Sequence, residues 1–236
     1  MPLLSVIIPV YNERELIRKV IARVEKALLP ASFEREIIIV NDGSTDGTGE
    51  VLLSLEQKYQ ILHQKNTGKG GAVRAGFKLA KGDYIIVQDA DLEQDPNDFQ
   101  ALLAPVMQGK ADVAFGSRFL GKYLPQALTM NLHYLLNRFF TITCNLLSGY
   151  RTSDMWTGYK MYSRKALDAI LPLFKSNGIE FEPEITILLS KLGFKIMDVP
   201  ISYTPRWYAE GKKTNWKQAA RSYVKMLGFV FRTIKY

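Results

Sequence analysis

Two carboxylates at alternate positions, Asp89 and Asp91 in Asp89-Ala90-Asp91, are the first residues in the chain whose spacing suggests chemistry. Glu93 lies two residues further on. Hard divalent cations take oxygen ligands, and Mg²⁺ or Mn²⁺ commonly takes one or two carboxylates together with substrate phosphates. A solvated acidic turn has the same spacing, so these residues alone leave both readings open. Two further polar clusters, Tyr11-Asn12-Glu13 and Asn41-Asp42, add an aromatic ring and two acids. A ring can stack on a nucleobase, and a carboxylate can accept from a base N–H or a ribose hydroxyl. Asp42-Gly43-Ser44 would equally suit an Asx-turn or a helix cap. Gly68-Lys69-Gly70-Gly71 matches neither the P-loop nor the dinucleotide fingerprint, so its glycines read as backbone turns. Arg74 reads equally as a ligand or as a helix-surface charge.

The elements around these clusters place them together. Ser5-Val6-Ile7-Ile8-Pro9-Val10 and Glu36-Ile37-Ile38-Ile39-Val40 are short apolar runs that read as buried strands. Gln60-Ile61-Leu62 is a weak third strand and Asp83-Tyr84-Ile85-Ile86-Val87-Gln88 a fourth. Helical patterns over residues 13–28, 48–59 and up to Leu79 alternate with them, with Leu16, Val20, Val24 and Ala27 on one face of the first. A helix is expected over 98–108 and a strand over 112–116. This alternation implies an α/β fold, a mostly parallel central sheet with helices on both faces. Ligands of such sheets bind at the carboxyl ends of the strands. The first, second and fourth strands end in the three polar clusters, which should converge on one rim.

Two later segments are amphipathic. From Thr129, polar residues step by four through His133, Asn137, Thr141 and Asn145, while leucines, phenylalanines and Ile142 fill the rest of the helix. Such a helix is either deeply buried or interfacial. His133 reads equally as an ordinary hydrogen-bonded helix residue. The second segment is basic. The net charge is +8, and residues 206–236 contain eight basic residues against one acid, Glu210. Lys217, Arg221, Lys225 and Arg232 form one stripe, of the kind that rests on anionic lipid. No nucleic-acid-binding motif accompanies the charge. Cys144 is the single cysteine, which excludes an internal disulfide and fits a reducing compartment. Neither a signal peptide nor a spanning helix is expected.

In order, Ser5-Val6-Ile7-Ile8-Pro9-Val10-Tyr11-Asn12-Glu13, Val40-Asn41-Asp42-Gly43-Ser44-Thr45-Asp46-Gly47-Thr48, Asn66-Thr67-Gly68-Lys69-Gly70, Asp89-Ala90-Asp91 and Gly116-Ser117-Arg118 resemble the signature of glycosyltransferase family 2. Phe181-Glu182-Pro183-Glu184, Val199-Pro200-Ile201-Ser202-Tyr203 and Arg206-Trp207-Tyr208-Ala209-Glu210-Gly211-Lys212-Lys213 resemble its polyprenyl-phosphate sugar transferases, which include the dolichol-phosphate mannose synthases. Two departures stand out. Glu93-Gln94-Asp95-Pro96 replaces the Gln-His-Pro-Pro of many dolichol-type members, and the C-terminal spans of some bacterial members are not seen.

The resemblance implies a GT-A domain over 1–205, with a basic loop and amphipathic helix over 206–236. It implies inverting transfer from a nucleotide sugar of the GDP-mannose or UDP-glucose type to a polyprenyl or dolichyl phosphate. Mg²⁺ or Mn²⁺ would be held by Asp89, Asp91 and Glu93. The donor would meet Pro9, Tyr11, Glu13, Val40, Asp42, Asp89, Ala90, Asp91, Arg206 and Lys212. The acceptor would meet Arg118, with His133, Asn137 and Arg138 nearby. Asp91, Arg118, Arg206 and Lys212 form the expected catalytic set, Gly211 a hinge, and Lys212-Lys213 reads alternatively as a solvated basic pair. The enzyme would sit peripherally on the cytoplasmic face of a membrane, held by anionic lipid. A saccharide-hydroxyl transferase would instead need a carboxylate base, for which Asp154 and Glu182 are the candidates. A nucleotidyltransferase would need a Gly-rich, Arg-containing first loop that Pro9-Val10-Tyr11-Asn12 does not provide. An inactive nucleotide-sugar-binding protein would have no need to keep both the acidic triplet and the basic loop.

Overall fold

The structure is a computed structural model that describes residues 1–120, 128–206 and 216–231, the side chains of 128–133 and 216–220 excepted. Four parallel strands form its first half: β1 (Leu3–Val10), β2 (Glu34–Asp42), β3 (Gln60–Gln64) and β4 (Tyr84–Val87). Side chains alternate across β1 as the period of a strand requires. Leu4, Val6, Ile8 and Val10 pack on one face against α1 (Ile17–Lys26), with Leu52 of α2 (Thr48–Leu53). Ile7 points the other way, into Ala72, Val73 and Phe77 of α3 (Lys69–Leu79). The expected helices on both faces are therefore present.

The remaining strands complete a seven-stranded sheet in the order β3-β2-β1-β4-β6-β5-β7. β5 (Val113–Ser117) runs parallel to β7 (Ile196–Pro200), and β6 (Lys160–Ser163) lies antiparallel between β4 and β5. α4 (Phe99–Met107) joins α1 on one face, while α6 (Arg164–Ile170) and α7 (Phe181–Lys191) join α3 on the other. Two helices are shorter than their patterns suggest. α1 begins at Ile17, because residues 13–16 form a turn closed by the Glu13 carbonyl. α2 stops at Leu53, where the Ser54 hydroxyl bonds back to the Val51 carbonyl and tighter turns follow.

α5 (Leu128–Ser148) and α8 (Trp216–Phe231) pack together beyond the sheet, with Cys144, Met155, Ile187 and Met226 buried between them, α7 and the 155 turn. Among the described residues the polar stripe of α5 faces inward: Thr141 is buried, and Asn145 exchanges two hydrogen bonds with the backbone of Thr152. Its apolar side faces out. Leu135, Phe139 and Leu146 are 61%, 56% and 80% exposed, which excludes the core-helix alternative for this face.

Candidate functional site

The polar clusters do converge, on a cleft of about 560 Å³ at the carboxyl ends of β1, β2, β4 and β5. Its near wall is Pro9, Val10 and Tyr11. Asn12 takes a left-handed backbone (φ 53°), its N–H donates to the Ser44 hydroxyl at 3.0 Å, and its side-chain oxygen accepts from Thr45 N–H at 2.7 Å. These bonds tie the end of β1 to the loop after β2. Asp42 does the same for the next loop, its carboxylate accepting from Thr67 N–H at 2.9 Å, Gly68 N–H at 2.8 Å and Gln64 at 2.7 Å. It lines the cleft while acting as a structural cap. Gly68 has φ 92° and abuts the Asn177 carbonyl, so that turn needs glycine. Val40, expected beside the donor, has a wholly buried side chain packed in the core with α3.

Beyond β4 the acids are held by cations. Asp89 pairs with Lys69 at 2.6 Å. Arg206 lies 3.2 Å from Glu13, 3.5 Å from Asp91 and 3.9 Å from Glu93. Glu93 also accepts from the Tyr203 hydroxyl and from Arg206 N–H, which straps the 203–206 segment over the rim. Burial, then Asp89 and Glu93, push the Asp91 carboxyl up to about 7, and Lys69 partly offsets them. Burial opposes the charge on Lys69, but Asp89 and Glu182 outweigh it and raise its pKa.

Among the described residues no three acids, histidines or cysteines gather around one cation position. Asp89 and Asp91 nevertheless fit a metal that binds together with a diphosphate, since Mg²⁺ needs only one or two protein carboxylates. Asp91 is buried beside two like charges, Asp89 and Glu93, and a divalent cation there would relieve their repulsion. Glu93, the third expected ligand, has its carboxylate engaged with Tyr203 and Arg206.

Arg118 stands further along the cleft. Asp154, wholly buried, holds it through two bonds of 2.7 Å and also accepts its backbone N–H at 3.2 Å. Burial disfavours the guanidinium charge, but Asp154 outweighs that effect and raises its pKa. Thr152 and Ser153, which precede Asp154, are fixed in turn by the Asp198 carboxylate. Asn137 lines the cleft, whereas Arg138 donates to the Ser153 carbonyl at 3.2 Å. The side chain of His133 and all of Gly211, Lys212 and Lys213 lie outside the described residues.

Sequence reasoning gave no role to Lys69, Tyr203, Trp156 or Lys160. Lys69 was legible only as part of a glycine turn, and the others make contacts distant in sequence. Glu182 was considered only as a base. In the structure its carboxyl contacts the buried Lys160 ammonium. Burial pushes Glu182 up and Lys160 down, each held back by the other.

Comparison with known proteins agrees with this architecture. The model of the family described as glycosyl transferase family 2 matches residues 5–171. The polyprenol monophosphomannose synthase of Mycolicibacterium smegmatis is 34% identical over 85% of this chain and 77% of its own. The low-salt glycan biosynthesis hexosyltransferase Agl6 of Haloferax volcanii is 30% identical over 98% of this chain, which spans only 55% of that protein. Among solved structures, glucosyl-3-phosphoglycerate synthase from Mycobacterium tuberculosis, in complex with Mn²⁺, UDP and glucosyl-3-phosphoglycerate, superposes with a TM-score of 0.73. Its identity is 18%, and the match covers 97% of this chain and 78% of that one. At that identity the likeness shows the fold, which is GT-A.

Proposed function

The chain belongs to glycosyl transferase family 2, and from that premise we propose that it moves a hexose from a nucleotide sugar to a polyprenyl phosphate, with inversion. The observation that carries this reading is the arrangement of charge in one cleft. Acids line one part of it, and further along stands Arg118, whose partner Asp154 has both oxygens committed. A cation whose own carboxylate partner is fully engaged suits an acceptor that is already an anion. A phosphate acceptor needs no general base, whereas a hydroxyl acceptor does.

Asp89 and Asp91 would hold Mg²⁺ or Mn²⁺, which supplies charge neutralisation at the donor diphosphate. Pro9, Tyr11, Glu13 and Asp42 bound the region for base and ribose. Arg206 is poised beside the acids and would stabilise the leaving diphosphate, joined by Lys212. Arg118 would orient the acceptor phosphate, with Asn137 beside it. Incubation with UDP-glucose or GDP-mannose carrying a labelled sugar, Mn²⁺ and a short polyprenyl phosphate should yield label that extracts into organic solvent. Label retained in the aqueous phase with every donor would overturn the reading.

We also propose that residues 206–236 and the outer face of α5 hold the enzyme peripherally on an anionic membrane surface. Among the described residues no helix is long and apolar enough to cross a bilayer. The exposed apolar side chains of α5 and the exposed Arg221 of α8 support surface binding, whereas Lys225 is paired with Glu180 at 2.5 Å. Each cation close to anionic lipid contributes about 1 kcal/mol. Cosedimentation with phosphatidylserine vesicles should be strong at low salt and weaken at high salt. Leu146→Asp, on an 80% exposed position, should reduce it without loss of fold. Equal binding of the variant would remove α5 from the contact.

A further inference from the structure

Ser117 and Ser153 stand immediately before the two members of the Arg118–Asp154 pair, and their hydroxyls lie 2.7 Å apart. Ser117 closes β5, but residues 152–154 belong to no helix or strand, so hydrogen bonds from side chains must set their position. Asp198, on β7 beside β5, supplies the acceptor. Its carboxylate accepts from the Ser153 N–H, the Ser153 hydroxyl and the Thr152 hydroxyl, the last at 2.8 Å. The Thr152 oxygen accepts in turn from Asp154 N–H at 3.3 Å. A hydroxyl has one proton, and a carboxylate only accepts. The Ser153 proton therefore goes to Asp198, and the Ser117 proton goes to Ser153. Ser117 also accepts from Phe119 N–H at 3.2 Å, so Arg118 sits inside a turn closed on that hydroxyl. From the other side, Arg138 and Asn145 of α5 hold the backbone of Ser153 and Thr152.

Ser117, Thr152 and Asp154 are buried, and hydrogen bonds to a charged group are the strong ones. Without the Asp198 carboxylate, the Thr152 and Ser153 hydroxyls lose their acceptor, and the loop that carries Asp154 loses its tie to β5. Asp154 grips both the side chain and the backbone N–H of Arg118, so a shift of that loop moves the guanidinium. We propose that Asp198 is a positioning residue for the acceptor. Through Thr152 and Ser153 it holds Asp154, and through Ser153 and Ser117 it holds the strand end that carries Arg118. Asp198 does not line the cleft; it sets the place at which Arg118 meets the acceptor phosphate. This inference rests on the transferase reading above, with Arg118 as the acceptor contact.

The test is steady-state transfer by the full chain with Mn²⁺, the labelled donor that wild type uses, and a short polyprenyl phosphate at varied concentration. Asp198→Ala should raise the acceptor KM by about 10-fold, the scale of one hydrogen bond to a charged group, and leave the donor KM unchanged. Asp198→Asn, which keeps one accepting oxygen, should restore part of the loss. Ser117→Ala, which cuts the link to β5, should move the acceptor KM in the same direction. In an Arg118→Ala background, Asp198→Ala should raise the acceptor KM no further, because its effect passes through that guanidinium. A thermal melt reports whether each variant folds, and Ser117→Ala decides alone if the Asp198 variants do not. An unchanged acceptor KM in the folded variants, equal rises in donor and acceptor KM, or additive losses in the double variant would each overturn the positioning role while leaving the transferase reading intact. Failure of wild type to transfer from UDP-glucose or GDP-mannose would overturn both.

Discussion

Asp91→Asn should lower kcat of sugar transfer by about 10²- to 10³-fold, the scale of losing one preorganised electrostatic stabiliser, while leaving the metal-free protein as stable or more stable. The two effects have one cause. Burial, and then the like charges of Asp89 and Glu93, push the Asp91 carboxyl up to about 7. A group whose folded pKa is raised destabilises the folded chain once it ionises, so its cost appears as the pH rises from the ordinary carboxylate range through about 7. Asparagine keeps the shape and removes that repulsion, so melting at pH 8 should not fall. The same proton competes with a cation, and Mn²⁺ affinity should weaken as the pH drops below about 7. Loss of transfer with a retained melting temperature separates a site effect from a folding effect. Full activity of the variant, or of wild type in excess chelator, would remove the metal from the reaction.

Polyprenyl phosphate should be used at least about 10³-fold more efficiently, in kcat/KM, than the matching polyprenol. Sites built around a charged or polar partner discriminate strongly against the analogue that lacks it. The alcohol cannot satisfy Arg118 as an anion, and it must lose a proton. The nearest carboxylate, Asp154, holds Arg118 through both oxygens, at 2.7 Å each. Arg118→Ala should therefore raise the KM for polyprenyl phosphate, whereas Arg206→Ala should mainly lower kcat. Asp154→Asn should resemble Arg118→Ala, because it releases the guanidinium. If the alcohol or a saccharide hydroxyl proved the better acceptor, the saccharide-transferase reading would replace this one, and Glu182 would become the base to test.

Much of the first half of the fold was legible in the sequence because its signals are local. β1, β2 and β4 are continuous apolar runs, each followed at once by polar residues, and parallel strands put those ends on one rim. The second half of the chain is built from distant pairings. β6 is four residues long and contains a wholly buried lysine, Lys160, whose partner Glu182 lies in another element. A lysine in so short a run gives no sign of burial. The orientation of α5 was undecidable for a related reason. Its polar stripe turns inward because Asn145 binds the loop at Thr152, and its own periodicity cannot say which face finds a partner. Asp42 could be read as ligand or cap, and the structure shows the carboxylate folding the Thr67–Gly68 turn while lining the cleft.

The strand order has a consequence for how the chain comes to be folded during synthesis. The β3-β2-β1-β4 array is complete once Val87 has been made, and its parallel pairings can form early. The outer edge of β4 then waits for β6, at Lys160–Ser163, before it is paired. β5 is made in between and cannot join the array directly, because β6 separates it from β4. Until β6 emerges, β4 carries an open edge and β5 is an apolar strand without a neighbour, the condition that exposes chains to mispairing. A nascent or truncated chain ending before Lys160 should therefore depend on chaperones more than one ending after Pro200, where β7 closes the sheet.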